Sequence, residues 1–144
     1  MPLVRVRGRS MVPTLRPGQL VWFSSRSSHP PVRGGIVLIR LDRPPKGLYL
    51  KRLVGLPGET IELRSSRAFI NGQSLLEPYV PESAALEPQQ DVRCALSADR
   101  YFVLGDARDD SLDSRRFGPV TRSEIAGVAI WRLWPPGAMK RPTF

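Results

Sequence analysis

One cysteine, one histidine and three lysines occur among 144 residues, and each scarcity removes a class of chemistry. With Cys94 alone, no internal disulfide can form. His29, isolated in a Ser- and Pro-rich stretch, leaves no multi-histidine metal site and argues against a Ser-His-Asp triad. Apolar runs are short, and none nears the ~20 residues that a membrane-crossing helix requires. Arg5, Arg7 and Arg9 break up the opening residues, which therefore do not read as a signal peptide. The expectation is a soluble or peripheral chain. Negative charge is also in short supply: 13 acidic against 22 basic residues leave a net charge of +9. That excess favours an anionic partner, either nucleic acid or an acidic membrane surface. The basic residues are nevertheless scattered singly, with no Arg run longer than Arg115-Arg116 and no nucleic-acid-binding signature. No nucleic acid is expected; a non-enzymatic nucleic-acid-binding β domain is a rival that rests on charge alone.

What is abundant points the other way from a helical bundle. Fifteen prolines and twelve glycines demand many turns, and the 41% apolar content supports an ordinary core. Leu3 to Arg7 alternates weakly and reads as a strand. Leu20–Phe23, Ile36–Ile39, Leu48–Val54, Thr60–Leu63, Ala68–Ile70, Tyr101–Leu104 and Val128–Trp134 read as further strands. Asn71-Gly72 is the strongest short hairpin signal. Thr121, with Glu124 three positions on, reads as the cap of one helical turn. Asp106 to Gly118 is too densely charged for a core strand. The expected architecture is mainly β: antiparallel sheets or a partly open barrel, with long loops. One domain spans residues 1–144, with a hairpin insert at about 59–79 and an exposed loop at about 80–98.

Three clusters carry chemistry. Only Lys46, Lys51 and Lys140 stand where the chain otherwise uses nineteen arginines. Arginine stays charged, whereas a buried lysine can lose its proton near neutral pH. Lys51 shares a strand face with Tyr49 and Leu53. Moving its pKa from ~10.4 to about 8 needs roughly 3 kcal/mol, within reach of burial. Ser10 follows Gly8, whose missing side chain permits close approach by a ligand, and with histidine nearly absent Lys51 is the base available to it. The stretch Gly105 to Gly118 interleaves serines and aspartates with arginines. An ion pair between Asp113 and Arg115 would hold this loop, and a serine hydroxyl would orient the lysine. The arginines argue against a calcium loop.

Ser10-Met11-Val12-Pro13-Thr14-Leu15, then Lys51-Arg52-Leu53-Val54-Gly55-Leu56-Pro57-Gly58-Glu59, then Gly105-Asp106 to Ser111-Leu112-Asp113-Ser114-Arg115 resemble the three signature boxes of type I signal peptidases, in the family's order. Arg33-Gly34-Gly35-Ile36-Val37 resembles a weaker box between the first two. The resemblance implies a Ser/Lys dyad, with Ser10 as nucleophile, Lys51 as general base and no metal or cofactor. It implies that Ser111 hydrogen-bonds the lysine and that Asp113 and Arg115 form the supporting ion pair. It implies an oxyanion donor in the Ser10 N–H, with Gly8 at the position of a second donor. Met11, Leu15, Tyr49 and Leu50 match positions lining pockets for alanine-like residues. The chain departs from the family's pattern at Ala107, where asparagine is common, and at Gly35, where aspartate is usual.

The expected function is endoproteolysis of signal peptides or leader segments of a preprotein after small residues. The expected location is a membrane, at its extracytoplasmic face, through peripheral contact or an anchored partner. Trp22, Phe23, Trp131 and Trp134 are the aromatic candidates for that contact. A dedicated soluble maturation peptidase, of the kind that trims nickel superoxide dismutase, is the alternative, and its location would be cytoplasmic.

Overall fold

The computed structural model describes residues 2–25, 28–86, 89–134 and 136–138. Its strands are β1 (Leu3–Arg5), β2 (Leu20–Ser25), β3 (Ile36–Leu41), β4 (Gly47–Gly55), β5 (Thr60–Arg64), β6 (Arg67–Ile70), β7 (Gln73–Ser74), β8 (Val92–Ala95), β9 (Arg100–Leu104), β10 (Val120–Thr121), β11 (Ile125–Trp134) and β12 (Pro136–Ala138). Two short helices, α1 (Glu82–Leu86) and α2 (Ser114–Phe117), interrupt them. The larger sheet runs β1-β2-β11-β3-β4-β9-β10, with β12 on β11, and its order is open rather than closed into a barrel. The smaller sheet runs β7-β6-β5-β8. Both sheets are antiparallel throughout.

The central strands explain their own composition. β3 lies between β11 and β4 and has five of its six residues buried, so its sequence is apolar at every position but the exposed Arg40 rather than an alternation. β4 is buried from Lys51 to Gly55, which carries both Lys51 and Arg52 into the interior on opposite faces. One core cluster joins Val37, Ile39, Leu53, Val103 and Ile125. A second joins Met11, Leu15, Val21, Phe23, Ile36 and Leu38. A third joins Ile61, Leu63 and Ala68 of the smaller sheet to Val54, Phe102 and Leu104 of the larger one.

Asn71-Gly72 turns β6 into β7 with φ of 50° and 82°, the paired left-handed geometry of a tight hairpin. The turn from β5 to β6 has the same geometry at Ser65 and Ser66, without the Asn or Gly that signals it. The stretch expected as an exposed loop over about 80–98 is not all loop. It contains α1 and β8, and β8 pairs with β5 through Ile61↔Cys94 and Glu62↔Arg93. Four residues after the polar Gln89-Gln90-Asp91 give too brief an alternation to be seen, and the strand forms because β5 offers it an unpaired edge. Within the charged loop, Asp113 caps the unforeseen α2. Thr121 and Glu124 exchange backbone-to-side-chain hydrogen bonds at 2.8 and 3.2 Å, as a capping box does, but β11 begins at Ile125 and leaves only a turn. Phe23, expected at a membrane contact, is fully buried; Trp22 and Trp131 are exposed, and the side chain of Trp134 lies outside the described residues.

Candidate active site

Ser10 lies in the turn after β1, where the N–H of Val12 donates to the carbonyl of Arg9 at 3.0 Å and that of Leu15 to Met11 at 2.8 Å. Met11 and Leu15 plug this turn into the core. The N–H of Ala107 donates to the Ser10 carbonyl at 3.0 Å, so the first and third boxes meet at the nucleophile candidate itself. Lys51 reaches the same point from the middle of β4. Its side chain is 3% exposed, and Nζ lies 2.8 Å from Ser10 Oγ, to which it donates. Burial pulls the ammonium pKa down to about 8, against the pull of the Asp113 and Asp106 charges. The Tyr49 ring lies 5.9 Å from Nζ on the same strand face.

The loop from Gly105 to Gly118 encloses this pair. Asp113, fully buried, accepts from Arg115 Nε and Nη2 at 2.9 Å each and from the Gly105 N–H at 3.0 Å. Arg115 also donates to Gln89. The Ser111 hydroxyl, expected on the lysine, is buried without a hydrogen-bond partner among the described residues. The lysine amine points at Ser10 instead, and Ser111 packs against Gly105. A Cβ on Gly105 would collide with Ser111 Oγ and fall 2.6 Å from the Ser10 carbonyl oxygen.

The residues expected to line a substrate pocket do not share one environment. Met11 and Leu15 are buried, with Leu50 packed against their cluster. Tyr49 lies on the opposite face of β4, its ring tilted 43° against Phe117 with centroids 5.6 Å apart, and its hydroxyl donates to the Pro45 carbonyl at 2.9 Å. Gly8 is exposed with φ of 72°, a conformation that favours glycine.

Two further networks were present in the boxes but had no assigned part. Arg52, next to Lys51, donates to Asp106 from Nε at 3.1 Å and Nη2 at 2.5 Å, and to the Gly34 carbonyl at 2.8 Å. Thr14 Oγ1 donates to the same carboxylate at 2.6 Å, which ties the serine turn to the lysine strand. Arg33 forms a fork with Glu59 and donates to the Val54 carbonyl at 2.8 Å. Arginine and aspartate inside a strand-rich box were the available signal, since such groups are buried only when paired.

A buried amine against a serine hydroxyl suits acyl transfer: the amine, once neutral, is a base within hydrogen-bond reach of the hydroxyl proton. The family profile described as "Signal peptidase, peptidase S26" matches residues 1–134. A signal peptidase I from Leptolyngbya laminosa is 36% identical over 141 residues, covering 90% of this chain and 67% of that protein. One from Bacillus licheniformis is 35% identical over 143 residues, covering 90% and 75%. The crystal structure of a signal peptidase I from Enterococcus faecalis V583 superposes with a TM-score of 0.60 at 36% identity, covering 69% of this chain and 97% of that one. The chain belongs to the signal peptidase family, peptidase S26. Membership makes it a hydrolase of the serine endopeptidase kind, in a family that processes signal peptides. No helix among the described residues is long and apolar enough to cross a membrane.

Proposed function

We propose that this peptidase cleaves signal peptides or leader segments of preproteins after small residues, with Ser10 and Lys51 as a catalytic dyad. The 2.8 Å contact between Lys51 Nζ and Ser10 Oγ carries the reading. Neutral Lys51 takes the Ser10 proton as Oγ bonds to the scissile carbonyl carbon. The carbonyl electron pair moves to oxygen, where the Ser10 N–H is the candidate donor. Collapse breaks the C–N bond, and the leaving amine takes the proton from Lys51. A water then loses its proton to Lys51 and attacks the ester, and the proton returns to Ser10 as the acid leaves. Asp113 and Arg115 are the proposed supports of the surrounding loop, and Ser111, whose hydroxyl has no hydrogen-bond partner among the described residues, is the proposed orienting group for the amine once it releases Ser10. Gly8, Met11, Leu15, Tyr49 and Leu50 are the proposed specificity residues.

Ser10→Ala and Lys51→Met should each abolish cleavage of a peptide with alanine at the first and third positions before the cut, with circular dichroism unchanged. His29→Ala should leave cleavage intact. Near-parental turnover in Lys51→Met would falsify the dyad.

The same enzyme is proposed to work against a membrane, at the extracytoplasmic face that the family resemblance implies. Leu3, Trp22 and Trp131 are each about half exposed, and the register places Leu3 opposite Trp22 and Trp22 opposite Trp131. Residues opposite each other in a ladder project from the same face, so the three form one apolar stripe across β1, β2 and β11. Tryptophan favours the lipid–water boundary.

A further inference from the structure

One side chain, Arg108, reaches from the active-centre loop to the smaller sheet. Arg108 is fully buried, donating from Nε to the Gly105 carbonyl at 2.9 Å and from Nη1 to the Ser66 carbonyl at 2.7 Å. Both Nη atoms reach the carboxylate of Glu77, Nη1 at 3.2 Å. A buried guanidinium needs such a partner charge. Tyr79 donates to the same carboxylate at 2.8 Å, and its ring lies 4.1 Å from the Arg52 guanidinium. Ser66 sits in the turn between β5 and β6 and Glu77 just beyond β7, so two separate parts of the smaller sheet converge on Arg108.

Arg108 in turn holds Gly105. The Gly105 N–H is fixed by Asp113 and its carbonyl by Arg108, which clamps this residue from both sides. It is also the residue that packs directly against Ser10 and Ser111. A shift of Gly105 is therefore passed to the nucleophile.

We infer that Glu77 is a positioning residue for the Ser10–Lys51 centre, acting through Arg108 on the Gly105 carbonyl. The inference rests on the dyad reading above. Without the carboxylate, the buried guanidinium is unpaired and is drawn toward water, releasing Gly105. Misplacement of reacting groups lowers turnover, whereas Met11, Leu15 and Leu50, the proposed specificity residues, pack in a core cluster that includes neither Glu77 nor Arg108.

Steady-state kinetics of the full chain on the alanine-bearing peptide test this. Glu77→Gln should lower kcat by on the order of tenfold or more, with KM held within about twofold. Tyr79→Phe, which keeps every charge and the ring over Arg52, should lower kcat severalfold at unchanged Tm. A double variant, Glu77→Leu with Arg108→Leu, removes both buried charges; it should regain Tm without regaining kcat, because Gly105 is still unheld. Parental kcat in the double variant, a rise in KM alone, or a loss of kcat equal to the loss of folded protein would overturn the inference. Should Glu77→Gln fail to fold, Tyr79→Phe decides, and parental kcat there counts against positioning. Ser10→Ala measured alongside separates the two levels. An inactive Ser10→Ala with full turnover in the Glu77 variant sinks the positioning role alone. An active Ser10→Ala sinks the dyad and the inference with it.

Discussion

Lys51 is held where an ammonium ion is least at ease, and this has consequences for stability as well as for chemistry. Unfolded, it keeps its proton up to about pH 10.4; folded, only up to about pH 8. Between those values the unfolded state binds more protons, so stability rises with pH across the window and this group is most costly below it. Lys51→Met should therefore be inactive yet more stable than the parent at pH 7, by roughly 1–3 kcal/mol, with the gap closing toward pH 10.4. Thermal melts of both proteins from pH 6 to 10 measure this, and a constant gap would refute it. In the active enzyme, kcat/KM should rise through an apparent pKa near 8, a limb that His29→Ala leaves in place. This residue was legible in the sequence because a lysine stood out among arginines. Glu77 was not legible, because a lone glutamate outside every box carries no local sign that an arginine thirty-one positions away will need it.

Among the elements, the strands were read well where composition forced them and poorly where a partner made them. β3 and β4 announce themselves by burial on both faces; β8 and the Ser65-Ser66 turn depend on β5 lying alongside, which no local pattern records. The loop between β9 and β10 was read as chemistry rather than structure, and its packing shows why it needs both. Gly105 begins it at a place where no Cβ fits. Gly105→Ala should cut kcat at least tenfold while costing on the order of 1–3 kcal/mol, since the added methyl must displace Ser111 or the Ser10 backbone. Gly72→Ala is the comparison: strained by its φ of 82° but in open space, it should cost about 1 kcal/mol and leave kcat alone. Equal effects on kcat from the two substitutions would contradict this account.

At the scale of the whole molecule, the proposed membrane contact draws on charge and shape together. A net charge of +9 attracts anionic lipid, and the stripe of Leu3, Trp22 and Trp131 supplies apolar contact. Co-sedimentation with anionic vesicles should be strong at low salt, weaken as the ~8–10 Å screening length shortens, and fall further in Trp22→Ser with Trp131→Ser. No binding at low salt would favour the dedicated soluble maturation peptidase.

Val54, Phe102 and Leu104 belong to strands of the larger sheet, yet the cluster they join is roofed by Ile61, Leu63 and Ala68 of the smaller one. The two sheets therefore own one wall in common. In the language of modular evolution, a descendant that shed the smaller sheet for a tight turn would need new apolar cover for that wall. Loss of the sheet alone would lay the back of β4 and β9 open to water, on the very strand that carries Lys51. Unfolding followed by tryptophan fluorescence, which reports on Trp22, Trp131 and Trp134, should accordingly coincide with unfolding followed by amide exchange in β5 and β6. A smaller sheet whose amides exchange well before the tryptophans respond would show that the wall is not shared in energy as it is in space.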